Sequence, residues 1–317
     1  MTYLPDSMMQ LAEAQRGMLT RRQAYGAGMT TDAVRARVSG GRWQRIYPGV
    51  FATFSGEPGR AALLWAAVLK AGPGATLSHE TAAELAGLGR RPAQFIHVSL
   101  PPGRRVAAVP GLVVHRSARI LAARHPCLAP PRTRIEETVL DLAQVARTFD
   151  DALGWASAAC GGRLTTPQRI LDAMSQRAKL RFRTPLQLAL GDISSGVHTV
   201  LEYRYLHDVE RPHGLPRAER QVRVLRGSRS EYRDALYQEY QVTVETDGRI
   251  AHPAEARWAD AHRDNAAAAD GIITLRYGWS DVTMRPCFVA AEVGAVLAKR
   301  GWPGPVRSCG AGCTIRT

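Results

Sequence analysis

Apolar and polar positions along this chain switch between two periods, and each switch marks an element. In residues 7–54, "SMMQLAEAQRG" has helical spacing. Thr20 stands where a hydroxyl would cap "RRQAYG", and Thr30 or Thr31 where one would cap "DAVRARVS", with Gly26 and Gly28 making the turn between them. Met29, Val34 and Val38 supply apolar contacts, which leaves Arg35, Arg37 and, just past the helix, Arg42 to solvent. "RWQRIYPGVFATF" then alternates as a strand with a Pro-Gly turn inside it, and Arg45 lies on this hairpin. Helix, helix, glycine turn, helix and β-wing predict a winged helix-turn-helix. Helix pairs with glycine turns also occur in enzymes, so the pattern by itself leaves DNA binding and a structural role open.

The middle of the chain, roughly 60–190, carries less chemistry. "RAALLWAAVLKAG", "SHETAAELAGL" and "TRIEETVLDLAQVAR" read as helices, and "AQFIHVSLP" and "GLVVHRS" as strands around a Pro/Gly/Arg loop. His79, His97 and His115 are scattered without metal-ligand spacing and are expected to have separate structural or surface roles. "SQRAKLRFRTP" reads as a junction and "GDISSG" as a linker.

In residues 198–282 the pattern puts acids where stability alone would not. "TVLEYRYLHDVE" is helical, with Glu202 on the same face as Tyr205, Leu206 and Val209. "RQVRVLRG" reads as a strand, and "EYRDALYQEYQVTVETDG" as two strands joined near Gln238 and Glu239. In "VTVETDGRIAH", Val242, Val244 and Thr246 share one face, and Thr243, Glu245 and Asp247 share the other. A turn at Gln238 and Glu239 brings Asp234 opposite or diagonal to Thr243 and Glu245, so three strand acids and a helix acid converge. Like charges on one strand face repel, and an acid on an apolar stripe needs a partner. Converging carboxylates suit a hard cation such as Mg²⁺ or Mn²⁺, and phosphodiester hydrolysis is the natural reaction. The same residues are equally consistent with Glu202 and Asp234 pairing with Arg204, Arg233 or Arg276.

Charge sharpens this picture. The formal net charge is +14, it is nearly all arginine, and residues 190–290 alone carry an acidic excess. An arginine-rich chain is suited to a partner with phosphates, although solvated arginine-rich faces have the same composition. At 317 residues and 45% hydrophobic content the chain has room for several cores. No run is long enough to span a membrane and the start lacks a signal-peptide layout, so a cytoplasmic protein is expected. The five cysteines contain no CxxC pair, so free thiols are expected and a zinc site is not.

Two resemblances add to these readings. "GMLTRRQAYGAGMTTDAVRARVSGGRWQRIYPGVF" is similar in order and spacing to the N-terminal domain of the AbiEi-family type IV antitoxins. That resemblance implies a DNA-binding winged helix with Arg35, Arg37, Arg42 and Arg45 as contact candidates, and it raises the prospect of a cognate toxin. "LSHETAAELAGL" and "PPRTRIEETVLDLA" also resemble the scaffold segment that follows it in such proteins.

Glu202, "GLP", Gln221, Asp234, "VETDG", His252, "WADAHRDN" and "GIITLRYGWSDV" resemble an endonuclease group of unknown function. That group is related to very-short-patch repair endonucleases of the restriction-endonuclease-like PD-(D/E)xK superfamily. The resemblance implies that Glu202, Asp234 and Glu245 hold the metal, and that Asp247 and His252 complete the site. Gln221, Asp260, Arg263 and Arg276 would support it. The superfamily's lysine is Asp247 here, so the base is either His252 or a metal-bound hydroxide.

The expected fold class is multidomain, α+β and α/β. It comprises a winged helix-turn-helix at 1–57, a mixed scaffold segment at 58–190, a restriction-endonuclease-like mixed sheet flanked by helices at 191–303 and a flexible tail at 304–317. The expected function is DNA binding with Mg²⁺-dependent endonuclease activity in phage defence or repair. The alternative is a non-enzymatic antitoxin or repressor that keeps a degenerate nuclease fold.

Overall fold

The computed structural model describes residues 5–89, 91–226, 229–247, 265 and 267–316. The chain forms two compact units, Met1–Arg147 with Gly162–Arg181, and Thr148–Gly161 with Phe182–Thr317. It is an α+β protein with three small sheets among many helices. The unit boundary falls at Arg181, within the basic junction and earlier than residue 190, and residues 148–161 belong with the C-terminal unit.

The first unit opens with α1 (Asp6–Ala14), β1 (Met18–Thr20), α2 (Arg21–Gly26), α3 (Thr31–Ser39), β2 (Gln44–Tyr47) and β3 (Val50–Ala52). Thr20 and Gln23 cap α2 reciprocally: the Thr20 hydroxyl accepts the Gln23 N–H, and the Gln23 side chain accepts the Thr20 N–H at 2.8 Å. The Thr30 hydroxyl accepts the Ala33 N–H and starts α3. Gly49, at φ +81°, takes the left-handed position that turns β2 into β3. The three strands form an antiparallel sheet in the order β1-β3-β2. β1 is too short to show a period, and only its pairing with β3 reveals it. Met8, Leu19, Val34, Trp43 and Phe51 close this core.

The same unit continues with α4 (Arg60–Ala71), β4 (Thr76–Leu77), α5 (His79–Leu85), β5 (Ile96–Leu100), β6 (Leu112–Arg116), α6 (Ile120–Ala123) and α7 (Ile135–Val145). The second sheet has the order β4-β5-β6, with β5 and β6 parallel. Leu64, Leu77, Val98 and Leu100 lie at its centre. Glu137 on α7 is buried and accepts from Arg119 at 3.0 Å and from Arg177, just past α9 (Pro167–Ser175), at 2.6 Å.

The second unit contains α8 (Phe149–Gly161), α10 (Arg183–Ser194) and α11 (Val200–Arg204), the last running on as a π-helical turn, Tyr205–Glu210. β7 (Glu219–Arg226), β8 (Arg229–Tyr237), β9 (Val242–Asp247) and β10 (Ile273–Gly278) follow, then α12 (Trp279–Met284) and α13 (Pro286–Lys299). The mixed sheet has the order β10-β9-β8-β7, antiparallel except for the parallel β9/β10 pair. Tyr205, Val209, Ala235, Tyr237, Val242, Val244, Val289 and Val293 build one core between sheet and helices.

Two expectations change. Gly191–Ser194 of the supposed linker belongs to α10, because Leu186, Ala189, Leu190 and Ile193 carry a buried helical stripe into it. The segment expected as a flexible tail packs down instead. Val306 and Ile315 lie against the core, and a Cβ on Gly294 would come within 2.1 Å of the Val306 side chain. Among the described residues no helix is long and apolar enough to cross a membrane.

Removing the Glu137 carboxylate would take away the buried acceptor that Arg119 and Arg177 share, leaving Arg177 to Asp141 at 2.8 Å. Glu137→Ala is therefore expected to cost ~3–5 kcal/mol, read as a lower urea midpoint at unchanged m-value, whereas exposed Asp32→Ala should leave the midpoint in place.

Candidate functional site

The acids are positioned by local bonds that the sequence makes inevitable. The Thr199 hydroxyl accepts the Glu202 N–H at 3.1 Å, and Glu202 Oε2 accepts the His198 N–H at 2.9 Å, so the first turn of α11 holds this carboxylate in place. Burial of Tyr205, Leu206 and Val209 on the same helical stripe leaves Glu202 only 3% exposed. The hairpin turns through Gln238–Tyr240 and Gln241, the latter at φ +54°. Ala235 then pairs with Val244 and Leu236 with Thr243, a register whose next pair sets Asp234 opposite Glu245. Asp234 Oδ2 accepts the Thr246 N–H at 2.8 Å and the Thr246 hydroxyl at 3.1 Å. Gln221 on β7, held at the strained φ of +50°, donates Nε2 to Glu202 Oε2 at 3.2 Å and to Asp234 Oδ1 at 3.3 Å.

Electrostatics single out this group. Burial pushes the Glu202 carboxyl up to about 7 against the pull of the His198 N–H, and the Asp234 charge adds to the rise. Burial likewise pushes Glu245 up to about 7, with Asp234 raising it further and Arg233 and Arg276 opposing. Of the arginines considered as simple partners, Arg233 and Arg276 act on Glu245 rather than on Glu202. Arg204 is occupied by Asp150 at 2.9 Å and Asp208 at 3.2 Å. Arg233 lies 3.5 Å from Glu245, its Nε and Nη2 without a partner among the described residues, and Arg276 stands beside Glu245 in the β9/β10 register. Among the described residues, Glu202 and Asp234 have no guanidinium partner. The other buried carboxylates, Glu136, Glu137 and Glu210, each have one, in Arg169, Arg119 with Arg177, and Arg220.

Asp247 closes β9 alongside Gly278 and is half-buried. His252, Asp260 and Arg263 lie outside the described residues. A cleft of about 680 Å³ in this unit is lined by Glu210, Arg217 and Arg220 and does not include Glu202, Asp234 or Glu245.

The arginines of the first unit separate into two groups. Arg35 and Arg45 line a groove with Arg21, Tyr25, Thr31 and Ser39, and Arg35 also meets Asp32 at 3.2 Å on an exposed face. Arg21 escaped the sequence reading, although its place immediately after the Thr20 cap puts it on the solvent side of the first turn of α2. Arg42 is exposed. Arg37 is turned towards Trp43, its guanidinium carbon 5.9 Å from the indole centroid, which removes it from the groove.

His79, His97 and His115, expected to be separate, come together because α5 begins beside the β5/β6 pair. His97 Nδ1 and His115 Nε2 are 3.0 Å apart, and the His79 and His115 rings stack at 3.7 Å. Burial pushes His79 down to about 3 and His115 to about 4, and the neighbouring imidazoles add to both falls, so the stack is one of neutral rings at pH 7.

No protein-family model matches the chain, and no curated relative matches it. Among solved structures it is similar to the Rv2827c protein of Mycobacterium tuberculosis, at 17% identity and a TM-score of 0.41, over 58% of this chain and 76% of that one.

A carboxyl whose folded-state value is raised stabilises the fold below its ordinary value of 4.5, and that contribution is lost as pH rises towards about 7. Without divalent cations, the unfolding free energy is therefore expected to fall between about pH 4.5 and 7 by on the order of 3 kcal/mol per group, read as a lower melting temperature. Glu202→Gln should flatten that fall. An unchanged profile in the variant would mean that Glu202 does not ionise in this window.

Proposed function

We propose that this chain is a DNA-binding protein whose C-terminal unit is a divalent-cation-dependent DNA endonuclease. The observation that carries the reading is Glu202, a buried carboxylate without a cationic partner among the described residues, joined through Gln221 to Asp234, whose charge also acts on Glu245. Burial and the nearby Asp234 charge raise the proton affinity of Glu202 and Glu245, and a hard cation with oxygen ligands would relieve that strain. The donor set fits Mg²⁺ or Mn²⁺, with Glu202, Asp234 and Glu245 as ligands. A bound cation supplies charge to a phosphoryl oxygen and acidity to a water molecule.

Gln221 keeps Glu202 and Asp234 at a fixed separation, and the Thr246 bonds leave Asp234 Oδ1 as the oxygen turned to Gln221. Arg233, buried 3.5 Å from Glu245, adds positive charge beside the acids. The mixed sheet with its single parallel edge pair is consistent with a restriction-endonuclease-like PD-(D/E)xK core of the repair-endonuclease kind. Asp247 at the superfamily's lysine position leaves the proton transfer to His252 or to the metal-bound water itself.

The α2–α3 pair followed by the β2/β3 hairpin supports a winged helix of the AbiEi antitoxin type, with Arg21, Arg35, Arg42 and Arg45 meeting phosphates. Replacing these four by Ala should reduce the log–log salt dependence of DNA binding by about 0.9 per lost contact, whereas Arg37→Ala should leave the slope near that of wild type. An unchanged slope in the folded fourfold variant would move the DNA surface elsewhere.

The cation site is tested by thermal melts with and without added Mg²⁺ or Mn²⁺, beside plasmid nicking on the same preparations. Wild type should gain stability and nick DNA with the cation. Asp234→Asn should lose both, yet melt no lower than wild type without cation, because a repulsive charge has gone. If wild type shows neither shift nor cleavage and Asp234→Asn melts far lower, the chain is a DNA-binding antitoxin or repressor with a degenerate nuclease fold, and a cognate toxin becomes the partner to seek.

A further inference from the structure

We infer that His213, Cys287, Cys309 and Cys313 form a structural zinc site that pins the C-terminal segment of the chain to the second unit. Their four ligand atoms all lie within 4.8 Å of one another. Cys287 Sγ is 3.7 Å from Cys309 Sγ and 3.6 Å from Cys313 Sγ, and Cys313 Sγ is 3.8 Å from His213 Nε2. These spacings match one specific chemistry. Four ligands at about 2.3 Å from a tetrahedral zinc stand roughly 3.8 Å from each other along the tetrahedron's edges. A disulfide would hold two of the sulfurs at about 2.05 Å instead.

The surroundings are those of a metal ligand set. His213 is buried, and its Nδ1 N–H donates to the Val209 carbonyl at 2.8 Å, which fixes the tautomer and leaves the Nε2 lone pair facing Cys313. The His213 carbonyl accepts the Arg307 N–H at 2.8 Å, and the Cys313 N–H donates to the Gly310 carbonyl at 3.0 Å, so both the loop and the knuckle between Cys309 and Cys313 are shaped by the backbone. Three thiolates and an imidazole select zinc over the hard cations that suit carboxylates. Four protein ligands fill the coordination sphere, which makes the role structural rather than catalytic. On binding, the three thiols give up their protons and no oxidation state changes.

Three distant segments meet here: the loop after the π-helical turn, the first turn of α13, and the C-terminal segment. Val306 and Ile315 lie against the core on either side of the Cys309–Cys313 knuckle. Zinc would therefore fix the segment at the one stretch between these two apolar contacts. The five cysteines are free thiols, as expected, whereas a zinc site departs from the expectation that the chain has none. The cluster does not include Glu202, Asp234 or Glu245, and the two metal proposals stand or fall separately.

The test uses the full chain, purified under reducing conditions and desalted, with metal content measured by elemental analysis. One equivalent of zinc per chain is expected in wild type and also in Asp234→Asn, and its loss is expected in Cys309→Ser/Cys313→Ser. Exchange of zinc for Co²⁺ should give the d–d bands of a tetrahedral site and thiolate charge-transfer absorption. His213→Cys, which keeps four ligands, should retain the metal while altering those bands. Chelation of wild type should lower the melting temperature, and restoring Zn²⁺, but not Mg²⁺, should recover it. The proposal is overturned by a metal-free chain whose melt ignores Zn²⁺, by an intact mass lower by two hydrogens that reports a disulfide, or by zinc that leaves with Asp234→Asn and stays in the double cysteine variant.

Discussion

A carboxylate taken out of water must be given a positive charge or driven towards its neutral form, and this chain meets that constraint in two different ways. Its arginine excess is largely solvent-facing, but selected guanidinium groups are drawn inward to Glu136, Glu137 and Glu210, where they join helices and strands that are distant in sequence. At Glu202 the solution is withheld. Backbone and amide donors hold that carboxylate, the nearest arginine is committed to Asp150 and Asp208, and the charge of Asp234 stands close by. The proposed cation site is the place where the internal charge balance is left open.

The geometry around it follows from packing. The buried stripe of α11 continues through the π-helical turn into Tyr205 and Val209, whose contacts with Ala235, Val242 and Val244 seat the helix on the sheet. That seating brings Glu202 to Gln221 and Asp234. Gln221 bears a left-handed backbone conformation inside a strand, a cost that persists only where the surroundings over-determine it. The amide it carries is the one group bonded to both carboxylates.

The C-terminal segment follows a related logic with softer ligands. It folds back over α13 at Gly294, where even a methyl group would collide with Val306, and carries two cysteines to a third cysteine and a histidine. Apolar contacts at Trp302, Val306 and Ile315 and the hydrogen bond from Arg307 to His213 hold this segment, and a metal knuckle between Val306 and Ile315 would make the hold cooperative. On the two proposals, the strand acids would offer oxygen ligands and the C-terminal segment sulfur ligands, two coordination chemistries that would not compete.

What the sequence determined by itself was everything set by neighbours a few residues apart. The Thr20 and Thr30 caps, the Gly49 turn, the apolar stripe that buries Glu202 and the turn that sets Asp234 against Glu245 all arise from hydrogen bonds and side-chain periods that close within one or two turns of chain. Only the tertiary structure decided which charges pair among the described residues, because the partner of Arg204 is Asp150, 54 positions away, and not Glu202. It alone turned Arg37 onto Trp43, brought Arg21 into the groove of Arg35 and Arg45, stacked three histidines from a helix and two strands, and assigned Gly191–Ser194 to α10. The Cys309–Cys313 pair was visible as a spacing, but its meaning depended on Cys287 and on His213, 100 residues before Cys313. Contacts of that range leave no period in the sequence, since they are set by how whole faces pack and not by the rise of any one helix or strand.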